Sequence, residues 1–151
     1  MGEVNSVKFS DCGNYLCSGG YDKQIFIWDI YHPDCQNVGT LKGHNNAIMD
    51  LCWSANSETL YSASADKCGS IWDLHTLTRV RKLKSHTAIV NSIDAVKRGP
   101  ETIVTGSDDQ KVHIWDARAK EPVLSISDGS QVTSVVWGLS NDKVFIGGID
   151  N

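Results

Sequence analysis

Two sets of residues in this chain have the makings of acyl-transfer chemistry: Ser62, His44 and Asp66, and again Thr105, His86 and Asp109. A hydroxyl, an imidazole and a carboxylate within hydrogen-bond reach can activate a nucleophile. The recurrence argues against that use, because an active site is needed once. Each set also carries a tryptophan six residues after its aspartate, Trp72 and Trp115. An indole N–H is a donor only, and when buried it needs an acceptor. The sequence therefore predicts two copies of a buried structural network and no catalytic residues. Ser18, Asp22 and Trp28 repeat the same spacing a third time, without a histidine upstream.

The elements that carry these residues repeat as well. Trp28-Asp29, Trp72-Asp73 and Trp115-Asp116 fall 44 and 43 residues apart, and His44 and His86 are 42 apart. An apolar triplet of fixed spacing follows each histidine: Ile48, Leu51 and Trp53, then Val90, Ile93 and Ala95. It also occurs as Val4, Val7 and Phe9 and as Val132, Val135 and Trp137. Short alternating runs between turn signals read as strands. In the second repeat these are 48–54, 59–63, 69–73 and 79–83, and no stretch sustains a helical period. The repeats divide the chain into 1–41, 42–83, 84–127 and a truncated 128–151. In the fourth, Asp128-Gly129 stands where a Gly-His is expected and Ile146 where the hydroxyl should be.

Composition narrows the function classes. A net charge of −4 argues against a surface dedicated to nucleic acid. The densest basic stretch, Arg79, Arg81, Lys82 and Lys84, is explained as well by a guarded strand edge as by phosphate contact. Cys12, Cys17, Cys35, Cys52 and Cys68 are odd in number and form no CxxC pair, so reduced thiols are expected and no metal or cofactor site. No apolar run approaches the ~18 residues of a membrane span. No signal peptide is expected from the opening residues, and Met1-Gly2 with Ser6 satisfies only part of a myristoylation signal.

A period near 43 with Trp-Asp and Gly-His signatures resembles the WD-repeat family, in which four strands form one blade of a β-propeller. The resemblance implies an all-β fold, about three and a half blades of an incomplete, seven-bladed ring, with the chain expected to be part of a longer protein. It implies that tryptophan, hydroxyl, histidine and aspartate form one hydrogen-bonded chain. The structural network is then Ser18, Asp22 and Trp28; His44, Ser62, Asp66 and Trp72; and His86, Thr105, Asp109 and Trp115.

Finer motifs are Leu41-Lys42-Gly43-His44, Ser62-Ala63-Ser64-Ala65-Asp66-Lys67, Val90-Asn91-Ser92, Arg98-Gly99-Pro100, Thr105-Gly106-Ser107-Asp108-Asp109 and Gly147-Gly148-Ile149-Asp150-Asn151. They resemble the WD-repeat family of the spliceosomal U5 small nuclear ribonucleoprotein, although Lys67-Cys68-Gly69 departs from that family's Lys-Thr-Val. This implies a nuclear, non-enzymatic scaffold in pre-mRNA splicing. Its partners would be other proteins, the large U5 factor Prp8 among them, with no small-molecule substrate, no membrane and no direct RNA contact. An alternative from another class is a substrate receptor of a cullin-type ubiquitin ligase, since Trp115-Asp116-Ala117-Arg118 resembles that motif. By repeat position, a partner-binding face is expected to expose Glu3, Asn5, Tyr21, Ala47, Met49, Ala65, Ile89, Asn91, Asp108, Gln131, Thr133 and Ile149.

Overall fold

The computed structural model describes residues 2–149. Met1 and the Asp150-Asn151 end of the last motif lie outside the described residues. The described residues form fourteen strands in four antiparallel sheets. Blade 1 contains β1 (Val4–Phe9), β2 (Tyr15–Gly20), β3 (Gln24–Asp29) and β4 (Gln36–Lys42). Blade 2 contains β5 (Ile48–Trp53), β6 (Thr59–Ser64), β7 (Cys68–Asp73) and β8 (Thr78–Lys84). Blade 3 contains β9 (Val90–Ala95), β10 (Thr102–Ser107), β11 (Lys111–Asp116) and β12 (Leu124–Ser127). The fourth sheet is the pair β13 (Gln131–Trp137) and β14 (Val144–Ile149). Strands pair in chain order, and the first strands β1, β5, β9 and β13 pack side by side. The result is an arc of three and a half propeller blades.

The core lies between the blades. Cys17, Ile25 and Leu41 of blade 1 meet Ile48, Leu51, Leu60 and Trp72 of blade 2. Tyr61, Ile71 and Leu83 of blade 2 meet Val90, Ile93, Ile103 and Trp115 of blade 3. Val104 and Val112 close against Val132 and Val135. A blade alone leaves one such face open, so each sheet is stabilised by its neighbour.

Each turn from the second to the third strand is built the same way. Asp22, Asp66 and Asp109 each accept the backbone N–H two residues ahead through Oδ1. The residue between, Lys23, Lys67 or Gln110, is left-handed, with φ of 65, 69 and 66°. Aspartate favours such turns because its side chain substitutes for a backbone acceptor. The pairing register of each first strand slips at the residue after its first or second position, at Asn5, Met49, Asn91 and Thr133. Such an irregularity re-aims a side chain. Asn5 and Asn91 use it to donate across to the next blade, to the carbonyls of Ile48 and Val132.

Candidate functional site

The two complete networks are one-way relays. In blade 2, Trp72 Nε1 donates to Ser62 Oγ at 2.8 Å, Ser62 Oγ lies 2.7 Å from His44 Nε2, and His44 Nδ1 lies 3.0 Å from Asp66 Oδ2. Because the indole can only donate, the serine hydroxyl is free to donate to Nε2, which leaves the proton on Nδ1 for the carboxylate. Every donor then has an acceptor. Blade 3 repeats the arrangement with Trp115, Thr105, His86 and Asp109 at 2.9, 2.8 and 2.9 Å. The same carboxylates also accept the backbone N–H groups of Asn45 and Thr87, pinning the loop that follows His44 and His86 to its blade.

Electrostatics follow from this packing. Burial alone would raise the Asp66 carboxyl, but the His44 hydrogen bond, the Asn45 N–H and the Lys82 charge outweigh it and hold it well below the usual carboxylate range. Asp109 is likewise lowered against burial, by the Thr87 N–H and the His86 hydrogen bond. Burial lowers His86, with Asp109 opposing. Ser62 and Thr105 are 0% exposed, so neither hydroxyl can meet a substrate, and the arrangement supports loop fixation over nucleophilic attack.

Blade 1 holds a shorter version. Trp28 Nε1 donates to Ser18 Oγ at 3.0 Å, while Asp22 is exposed and engages the backbone N–H of Gln24.

The residues expected on a partner-binding face come together at one end of the sheets. Tyr21 N–H donates to Glu3 O, Ala65 to Ala47 O and Asp108 to Ile89 O, so each first strand begins beside the turn of its own blade. Gln131 pairs with Ile149 in the fourth sheet. Glu3, Asn5, Tyr21, Gln131, Thr133 and Ile149 are exposed; Met49, Ala65, Ile89, Asn91 and Asp108 are half-buried. Ala47 is a correction. It is 4% exposed and packed against the end of β6, where its carbonyl accepts from Ser64 Oγ and the Ala65 N–H. Asn91 is also less free than its position suggests, since its amide donates to Asp108 Oδ1 as well as to Val132 O.

Sequence reasoning passed over Asp50. Its carboxylate accepts from Ser6 Oγ of blade 1 and from Ser92 Oγ and the Ile93 N–H of blade 3, tying three blades together. The signal was an acid inside the apolar stretch 48–53, where the other repeats carry Ser6, Ser92 and Ser134. His113 was also missed. It is buried, stacks on His86 at 4.1 Å, and neither ring nitrogen has a hydrogen-bond partner among the described residues. Arg118 is exposed on the turn after β11, its N–H held by Asp116 Oδ1. Among the described residues no group of three or more His, Cys, Asp or Glu is placed to hold a metal ion.

The family model described as "WD domain, G-beta repeat" matches residues 1–29, 35–73 and 77–116. The chain is 39% identical to the U5 small nuclear ribonucleoprotein 40 kDa protein of Dictyostelium discoideum over 150 residues, 99% of this chain and 42% of that protein. It is 38% identical to the pre-mRNA-splicing factor cwf17 of Schizosaccharomyces pombe over 148 residues, 98% of this chain and 43% of the relative. It is 43% identical to the human U5 40 kDa protein over 148 residues, 98% of this chain and 41% of the relative. The chain thus spans about two fifths of the length of these relatives.

Proposed function

We propose, from the premise that this chain belongs to the WD-repeat family, that it serves as a non-catalytic protein-interaction scaffold in pre-mRNA splicing. The observation that carries this reading is similarity over nearly the whole chain to proteins named for the U5 ribonucleoprotein and for splicing. The interior supports it: the groups with catalytic potential are spent on each other, out of solvent. What the molecule offers to the outside is shape and side chains. The site of action is then the nucleus. The partners are spliceosomal proteins, with the large U5 factor Prp8 as the specific candidate, docked on the face of Tyr21, Met49 and Ile89. No observation favours the ubiquitin-ligase reading, in which Arg118 would contact an adaptor.

The test is affinity purification from nuclear extract with the full-length protein. Enrichment of U5 small nuclear RNA over the other small nuclear RNAs, together with Prp8, is expected. Absence of that enrichment would overturn the splicing assignment. A variant with Tyr21→Ser, Met49→Ser and Ile89→Ser should recover less Prp8. If it stays folded and recovers as much, the docking face is wrong while the splicing assignment stands.

A further inference from the structure

At the opposite end of blades 1 and 2 from the Tyr21 face, a groove of about 350 Å³ opens between the two sheets. Blade 1 contributes Tyr15, Ile27 and Val38; blade 2 contributes Trp53, Leu74 and Leu77. Ile27 and Trp53 are buried and form the floor, while Tyr15, Val38 and Leu77 are 37, 47 and 38% exposed along the rim. Both walls are complete four-stranded blades. Leu77 reaches across the junction onto Gly39: a Cβ at residue 39 would sit 2.7 Å from Leu77 Cδ2, so glycine there lets the two blades close on the groove.

The surroundings of the groove carry one sign of charge. The segments that form this end of the two blades, 10–15, 29–35, 53–58 and 73–77, contain Asp11, Asp29, Asp34, Glu58 and Asp73 and not one lysine or arginine. Glu58 stands on the groove itself, with His75 Nε2 3.8 Å away and both side chains open to solvent. One cation reaches in from blade 3: the Lys97 ammonium pairs with Asp11 and donates to the Trp53 carbonyl, which leaves Glu58, Asp29, Asp34 and Asp73 without a lysine or arginine partner among the described residues. An apolar slot inside a field of carboxylates complements an apolar side chain flanked by cations. The slot is open along its rim of Tyr15, Val38 and Leu77, so an extended segment can fill it and run on over the acidic turns.

We propose that this groove docks a short basic segment of a partner protein, which inserts one or two large apolar side chains between blades 1 and 2 and sets a lysine or arginine on Glu58. The site is separate from the Tyr21 face and does not rest on the splicing assignment. The test selects random displayed peptides on the full-length protein and then measures the affinity of a synthetic copy of the enriched sequence. Enrichment of Leu, Phe or Trp flanked by Arg or Lys is expected. Val38→Arg should weaken that peptide about tenfold or more, the scale of one lost apolar anchor. Glu58→Lys lies on an exposed turn and leaves the core intact. It should weaken binding less, and a peptide with its Arg changed to Glu should recover affinity on that variant. The proposal is overturned by failure to enrich any such sequence or by binding indifferent to both variants. It is overturned too by binding lost on Tyr21→Ser instead, or by self-association of the protein that Val38→Arg abolishes, which would assign the groove to a second copy.

Discussion

Trp72 donates to a hydroxyl that solvent does not reach, so replacing its ring keeps the apolar contact and strands the acceptor. A lost buried hydrogen bond costs about 1–3 kcal/mol. Trp72→Phe should lower stability by that order in denaturant titration, and an unchanged midpoint would remove Trp72 from the network. His113 sets a pH dependence. Burial, then the neighbouring His86, push its imidazole down to about 4, with Asp109 pulling weakly the other way and Lys111 adding to the depression. The unfolded chain therefore binds the extra proton first, and this contribution to stability is complete above pH ~6.5 and is lost as pH falls toward 4. His86 is shifted in the same direction, and the lowered carboxylates of Asp66 and Asp109 add their losses only at still lower pH. His113→Phe should flatten the stability profile between pH 6.5 and 4. Phenylalanine is accommodated at the equivalent place in blade 1, where Phe26 sits two residues before Trp28. An equally steep profile in the variant would clear His113 of the role.

At the scale of the strand, close approach is what the repeat enforces. A Cβ on Gly20 would lie 1.9 Å from the Glu3 carbonyl oxygen, the atom that accepts the Tyr21 N–H. Gly20→Ala must move β1 away from its turn, and a loss of roughly 2–4 kcal/mol is expected in thermal or denaturant unfolding. Gly13→Ala, at a turn with nothing within 4 Å of the new Cβ but a φ of +77°, should cost less, about 1 kcal/mol. Equal effects would mean that conformational strain, and not the β1 contact, dominates. The strands themselves were legible in the sequence, because period-two alternation and aspartate turns are local signals; the expected 59–63 and 69–73 differ from β6 and β7 by a single residue. The burial of Ala47 was not legible from the repeat, since Glu3 and Ile89 hold the same place in their blades and are exposed and half-buried. Asp50 escaped for another reason: its partners lie 44 and 42 residues away in other blades. The groove residues hold no common place in the repeat, so spacing could not group Val38 with Leu77.

The whole molecule is an arc whose two outer faces differ from its interior. On β1, Val4, Val7 and Phe9 are 61, 50 and 65% exposed, whereas Ile48, Leu51 and Trp53 at the same places in β5 are buried. Leu139, Phe145 and Ile149 are exposed around the two-stranded fourth sheet, where among the described residues β14 pairs with β13 on one side only. Contiguous apolar surface and an unpaired strand edge both favour association. The polar ties between blades do not relieve this, because Asn5, Asp50 and Asn91 all reach inward along the arc. As an isolated 151-residue polypeptide the chain should show an all-β circular dichroism spectrum and sediment as a concentration-dependent mixture. Val7→Lys and Phe9→Lys together place charge on the β1 face without touching a buried cluster, and should shift that mixture toward monomer. A monodisperse monomer of the unmodified polypeptide, melting sharply at every concentration, would mean that the two outer faces find their own cover within one chain.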